Sequence, residues 1–382
     1  MLLGSLAWSF VYASLPFHIL GLAADAAAAV RWTGWILGIA PLTTVLTAPL
    51  WGRLTERVDP RRLYVAVELG QGLAFVGLAL ARTLPELFVA RLVLGGLGAA
   101  STFAFVIAGR TDHPGGVRRQ VAAIQSAMTL GQLVGPLAGA VAAARLGFRA
   151  SFVVAGVVLL ACAGLVWWRV PATPPRPRPA PRGPRAAPPV LATALVVLAA
   201  SAHIFFLPAI LPQVLTELAV APARQLEVGG LLVSASGAAA ALGALLAPRL
   251  GELAPERRLL PALLGGASVA VAALAAAPSV TLYGVLRFVE ILVIAPLFPL
   301  AVARTALAAG GAAIGLVNAA RLGAGFLAPV GASAALARWS TDAVHLGLAL
   351  AGLACLPLAA RCAPASGAAG HRGRGAPSPG CG

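Results

Sequence analysis

The chain has 382 residues, of which 59% are hydrophobic and 10% charged, with a mean hydropathy of +0.90. No water-soluble domain of this length has such a composition, so the chain is expected to live in a membrane. Its formal charge of +16 comes from arginine alone, because there is no lysine, and without lysine the chain carries no nucleotide-binding P-loop of its own.

Apolar runs of about 20 residues, enough to cross a hydrocarbon core about 30 Å thick, recur along the whole chain. They fall at about 2–22, 32–51, 63–81, 87–109, 120–143, 148–168, 189–213, 228–247, 259–278, 280–303, 311–337 and 341–360. The first run begins almost at Met1 with no basic lead, and its apolar stretch is too long for a cleavable signal peptide. With the N-terminus inside, nineteen arginines fall in cytoplasmic segments and six (Arg31, Arg82, Arg145, Arg149, Arg224 and Arg338) on the other side. That asymmetry is what the positive-inside rule requires. It places both termini in the cytoplasm and the protein in the cell (inner) membrane, with the lipid bilayer as its surroundings and no nucleic-acid partner. Trp32, Trp35, Trp51, Trp167, Trp168 and Trp339 stand at or near span ends, as interfacial anchors do.

Spans one to six (1–169) carry Tyr12 and Phe17 in the first span, then the charged loop WGRLTERVDPRRLY at 51–64. Glu68 lies about five residues into the third span, where snorkelling or a local arginine contact would account for it. Arg91 is an ionisable group in the fourth, and an intramembrane charge is a functional-site hypothesis by default. The fifth span holds Gln125, Gln132 and the glycines Gly131, Gly135 and Gly139, which recur every fourth residue on one helical face and permit close helix approach. Pro136 should bend that span.

Nine of the twenty residues 170–189 are proline, so 170–188 reads as an extended cytoplasmic linker. Beyond it, six further spans (189–361) contain His203 and Phe206 in the seventh, Arg287, Phe288 and Glu290 in the tenth and Arg321 in the eleventh. Arg287 and Glu290 are three residues apart and share a helical face. They either neutralise one another or handle protons or substrate, and Glu290 is the first choice for a proton-titrating group. His203 is either a hydrogen-bonded packing residue or a titrating one. The Gly-, Ala-, Pro- and Ser-rich tail at 362–382 should be disordered. Four cysteines, two in spans and two in the tail, suggest neither a disulfide framework nor a metal site.

The halves repeat one another. Glu56 and Arg61-Arg62 align with Glu252 and Arg257-Arg258 at an offset of 196, and the same offset carries Arg91 onto Arg287. Further on, Pro136 matches Pro329 and Gln125 matches Asn318 at an offset of 193. Three ordered coincidences indicate an internal six-span duplication. The fold expected is therefore all-α, with twelve transmembrane helices in two pseudo-symmetric six-helix bundles.

Gly52-x-Leu54-x-Glu56-Arg57-x-x-x-Arg61-Arg62 resembles the loop motif between spans two and three of the major facilitator superfamily, with Asp59-Pro60 in place of its turn glycine. Arg91-x-x-x-Gly95 resembles the family's R-x-x-Q-G, with Leu94 at the Gln. Gly131-x-x-x-Gly135-Pro136-x-x-Gly139-Ala140 resembles the span-five motif of its drug–proton antiporters. The resemblance implies a transporter, not an enzyme, working without a cofactor and as a monomer. It would export a small amphipathic or drug-like compound against protons by alternating access. Glu290 and Arg91 would serve proton coupling. Tyr12, Phe17, Gln125, Gln132, His203, Phe206, Arg287 and Arg321 would line the substrate cavity. Gly52, Glu56, Arg57, Arg61 and Arg62 would form a gating loop, and the span-five glycine face would pack on the other half. An importer or facilitator of a sugar or organic anion is the alternative, since Arg91, Arg287 and Arg321 suit an anion. A non-transporting membrane sensor is a third reading.

Overall fold

Several helices begin where a polar residue can satisfy the first backbone donors. Asp25, Asp59, Thr83, Ser279 and Ser340 each accept an amide hydrogen bond at the start of a helix. A computed structural model describes residues 1–109, 114–172 and 188–361. Arg110 with its three following residues, the linker at 173–187 and the tail at 362–382 lie outside the described residues, whereas Pro188, the last residue of the expected linker, begins a helix.

The first set of helices is α1 (Leu2–Leu22), α2 (Ala26–Leu54), α3 (Pro60–Leu80), α4 (Leu84–Gly96), α5 (Ala100–Ala108), α6 (Pro114–Leu146) and α7 (Phe148–Arg169). The second is α8 (Pro188–Phe205), α9 (Leu207–Glu217), α10 (Pro222–Leu253), α11 (Glu256–Leu274), α12 (Val280–Ile294), α13 (Leu297–Leu336), α14 (Thr341–Ala354) and α15 (Leu356–Arg361). Among the described residues eleven helical segments are long and apolar enough to cross a membrane, and α8 with α9, bent by 40°, makes a twelfth. Large apolar side chains such as Leu73, Leu80 and Leu350 point outward at 66–70% exposure, which suits lipid and not water.

Among the described residues four spans are interrupted: the fourth and the seventh, and also the tenth at Ala295–Pro296 between α12 and α13 and the twelfth at Cys355 between α14 and α15. Span four stops at Leu97–Ala99 between α4 and α5, and its loose carbonyls are taken up by α2. Thr44 donates to Gly95 O at 2.9 Å, Thr47 to Gly96 O at 3.1 Å and the Trp51 indole to Gly96 O at 2.8 Å. On the other side Gln71 donates to Leu97 O at 2.5 Å, and itself accepts from the Trp8 indole at 2.6 Å. Span seven breaks at Phe206, just before Pro208.

The glycine face of α6 packs on α1 of its own half, not on the other half as expected. A side chain at Gly131 would strike Leu2 O and Leu6 N, one at Gly135 would strike Ser9 and Leu6 O, and one at Gly139 would strike the Phe10 carbonyl. The neighbouring face of α6 meets the second half. Gly230 of α10 lies against Pro136 O and Ala140, and Gly237 lies against Gln132 O and Leu133. The pseudo-symmetric joint pairs α2 with α13: Gly34 meets Pro329 O and Ser333, Gly38 meets Phe326, and Pro41 meets Gly325. Pro136 disturbs the hydrogen-bond ladder of α6. At that point the Leu137 amide donates across the joint to Ser234 Oγ at 3.0 Å.

The approaches between the two halves lie in the part of the bundle remote from the Gly52–Arg62 loop. Nearer that loop, Leu46 and Leu50 of α2 and Leu242, Leu245 and Leu253 of α10 are exposed. The two sets of helices thus lean together at one end and stand apart at the arginine-rich end.

Candidate functional site

Arg91 and Arg287 occupy duplicated positions, and both use their guanidinium groups to cover carbonyls that a proline has uncovered. Pro41 has no N–H, so Leu37 O loses its helical partner. Arg91, fully buried, donates from Nε to Ile36 O at 3.2 Å and from Nη2 to Leu37 O at 3.4 Å. Gly95, one turn on, lies against Ala40 and Thr43, which lets α4 come this close to α2. Arg91 therefore points into a helix contact within its own half and not into an open cavity. Its Nη1 has no hydrogen-bond partner, and Tyr12 is near enough to interact with it electrostatically.

In the second half Pro208 uncovers Ile204 O in the same way. Arg287 donates from Nη2 to Ile204 O at 3.2 Å and from Nη1 to His203 O at 2.7 Å. There the resemblance ends, because Nη1 also pairs with Glu290 Oε2 at 2.6 Å, while Glu290 Oε1 lies 2.9 Å from His203 Nδ1. The offset of 196 puts Leu94 where Glu290 stands, so the carboxylate belongs to one half only. Arg287, Glu290 and His203 are each at most 1% exposed, and Phe206 lies beneath the guanidinium at 4.9 Å. His203, Phe206 and Arg287 are accordingly parts of a buried charge cluster and do not line an open cavity. Burying charges is tolerated only when they are paired and hydrogen-bonded, as Glu290 is on both oxygens.

Sequence reasoning overlooked two members of the same helix faces. Tyr283 lies one turn before Arg287 on α12, and its hydroxyl is 3.0 Å from His345 Nε2 on α14. Tyr283, Arg287 and Glu290 share the i, i+4, i+7 face, a spacing that would have flagged the tyrosine. Nothing near His345 in the sequence points to its partner.

The other candidates are dispersed. Tyr12 and Phe17 on α1 are half-buried, and Phe17 packs against the main apolar core. Gln125 and Gln132, two turns apart on α6, are exposed, with the Gln132 backbone facing Gly237 of the second half. Arg321 lies 4.5 Å above the Phe298 ring, and among the described residues it makes no ion pair with Glu290, whose cation is Arg287. Glu68 does not snorkel: it is 1% exposed, next to Gly4 of α1 and one turn from Tyr64, with Oε2 lacking a hydrogen-bond partner.

In the charged loop, Asp59 and Pro60 form a helix start in place of a glycine turn. Asp59 accepts the Arg61 amide at 2.8 Å, and Pro60 takes the first helical position, where its missing N–H costs nothing. Arg61 stacks on Trp167 at 4.4 Å and donates to the Trp167 carbonyl, tying the loop to α7. Arg57 and Arg62 are exposed. Among the described residues Glu56 and Arg57 have no charged partner, and both line a cavity of about 610 Å³ with Thr47, Leu50 and Arg53. A side chain at Gly52 would enter open space.

The sequence matches the Major Facilitator Superfamily over residues 1–329. The chain belongs to that family, and it is a multi-pass membrane transporter, not an enzyme. Among its relatives, the multidrug resistance protein MdtG of Yersinia enterocolitica is 25% identical over 302 residues, 74% of this chain and 70% of that one. MdtG of Escherichia coli O9:H4 is 26% identical over 279 residues, 68% of this chain and 66% of that one. The staphyloferrin B transporter of Staphylococcus aureus is 29% identical over 136 residues, 34% of this chain and 32% of that one. The nucleoside transporter NupG shares the fold at a TM-score of 0.77 and 12% identity, over 94% of this chain and 97% of its own. A D-xylose–proton symporter does so at 0.71 and 16%, over 95% and 96%.

Proposed function

We propose that this transporter exports a small amphipathic or drug-like compound in exchange for protons, by alternating access. The observation that carries the reading is the buried Arg287–Glu290–His203 cluster, present in one half and replaced by Leu94 in the other. A carboxylate bonded to both an arginine and an imidazole can exchange a proton with its histidine without leaving a bare buried charge. The multidrug relatives support the export direction. The arginine asymmetry supports a cytoplasmic Gly52–Arg62 end in the inner membrane with both termini on that side, and the family resemblance supports a protein working as a monomer. The conformation is then inward-facing, with Gln125, Gln132, Tyr12, Phe17 and Arg321 as the substrate-facing candidates and Arg91 as a secondary group in coupling.

Ethidium uptake into everted vesicles tests this. Uptake should follow an inside-acidic pH gradient and disappear in Glu290→Gln. Uptake that survives collapse of the gradient would remove antiport, and gradient-driven uptake by the variant would remove Glu290 from it. Import of an organic anion is favoured by one observation, the bare Nη1 of Arg91. An importer would raise the cellular content of its substrate where an exporter lowers it.

The loop belongs to the same cycle. Glu56, Arg57 and the open space at Gly52 fit a latch disengaged in the inward-facing state, which closes on the other half when the cytoplasmic end shuts. Glu56→Ala should insert normally and transport more slowly. Normal flux in the correctly inserted variant would reduce the motif to a topology signal.

A further inference from the structure

Three spans of the second half, α8–α9, that of α12 and that of α14, bury a column of polar side chains that runs past the Glu290 cluster to the end of the bundle remote from the Gly52–Arg62 loop. Glu217, the last residue of α9, is exposed there and accepts a hydrogen bond from the buried Thr341 hydroxyl at the start of α14. One turn along α14 comes His345, 2% exposed, whose Nε2 meets the Tyr283 hydroxyl at 3.0 Å. Its Nδ1 is buried without a hydrogen-bond partner. Tyr283 is 1% exposed and begins the α12 face that continues through Arg287 to Glu290. A buried tyrosine–histidine pair, off the charge cluster but aligned with it, needs a reason, because each buried polar group costs free energy unless it is satisfied.

We propose that Glu217, Thr341, His345 and Tyr283 form the proton-entry route to Glu290. This rests on the proton-coupled reading given above and supplies the side from which the proton comes. A proton collected from water at the Glu217 carboxylate passes by way of the Thr341 hydroxyl to His345 Nδ1. The imidazole then gives up the proton on Nε2 to the Tyr283 oxygen, and the phenolic proton moves on to the Glu290 carboxylate, two turns along α12, when the tyrosine hydroxyl swings away from His345. Each relay group ends with the number of protons it began with, and Glu290 gains one. Histidine suits this because its two ring nitrogens let it accept on one side and release on the other. The charged and titratable groups facing the pair are Glu217 and His203 from α8–α9, Arg287 and Glu290 from α12, and Asp342 from α14. Phe206, edge-on to His345 at 5.7 Å and under Arg287, closes the remaining side to water.

The test follows protonation of Glu290 directly. The carboxyl infrared band of the protein in proteoliposomes is recorded after an acid jump and assigned by its loss in Glu290→Gln. Tyr283→Phe and His345→Gln should each slow its appearance by about tenfold or more, the scale on which a positioned proton-transfer group acts. Glu217→Gln, at an exposed position that cannot unfold the core, should slow it as well and carries the test if a buried variant does not fold. Unchanged rates in Glu217→Gln and in a folded buried variant would overturn the route. So would the absence of any Glu290 band between wild type and Glu290→Gln. Ethidium transport is measured on the same samples. If it ignores the pH gradient while the band responds as expected, the export reading fails and the route stands.

Discussion

Arg287→Met should destabilise the protein by about 3–5 kcal/mol, the cost of breaking a buried ion pair from one side. The guanidinium does two jobs that its replacement cannot share. It neutralises Glu290 at 2.6 Å, and it covers the carbonyls of His203 and Ile204 beside the break in span seven. The double variant Arg287→Met/Glu290→Leu removes the stranded carboxylate but not the bare carbonyls. It should therefore recover part of the loss, leaving about 1–3 kcal/mol for each uncovered oxygen. Thermal unfolding in detergent, read by the reactivity of the buried Cys162 toward a maleimide dye, measures both. A double variant no more stable than the single one would mean that the carbonyl contacts, and not the ion pair, hold this region.

Gly139→Leu should be the most damaging of the span-five glycine substitutions. The new side chain would meet the Phe10 carbonyl, which is backbone and cannot rotate aside, so α1 and α6 would have to separate. Overpacking of this kind costs about 1–3 kcal/mol and sometimes more, and here it acts on the most intimate helix contact of the first half. Gly52→Leu is the matched control, because its side chain would enter open space. The yield of monodisperse protein by size-exclusion chromatography should collapse for the first and hold for the second. Equal yields would show that the α1–α6 contact can relax around a bulky residue.

How far the sequence reached follows from what kind of information each feature needs. Span number and order rest on apolar length, a local property, and the run at 2–22 coincides with α1. The broken spans were not legible: Gly95, Gly96 and Gly98 permit a break, but it is the threonines of α2, some fifty positions earlier, that stabilise one. Periodicity showed that Gly131, Gly135 and Gly139 share a face, yet it carries nothing about which helix lies opposite. Duplication revealed Arg91 and Arg287 as a pair. What each touches depends on Pro41 and Pro208, which sit in helices that are not equivalents of one another. The acid at Glu68 was misread because distance from a span end says how far a side chain must reach, and not that Gly4 leaves a niche for it.

The joint at Pro136 has a consequence for how the two halves part. Ser234 holds the Leu137 amide with one hydrogen bond, and interhelical bonds of this kind in membranes are worth about 0.6 kcal/mol on average. The remaining contacts there are between backbone and small side chains, which keep no bulky group locked in a pocket. A ligand bound with micromolar affinity brings about 8 kcal/mol, and only a small fraction of that, directed to one conformation, is enough to open such a hinge. Pro136 lacks an N–H and so uncovers the Gln132 carbonyl, while the next amide, Leu137, reaches Ser234 across the joint, a contact that can be released and recaptured on each turnover without either half losing its internal packing.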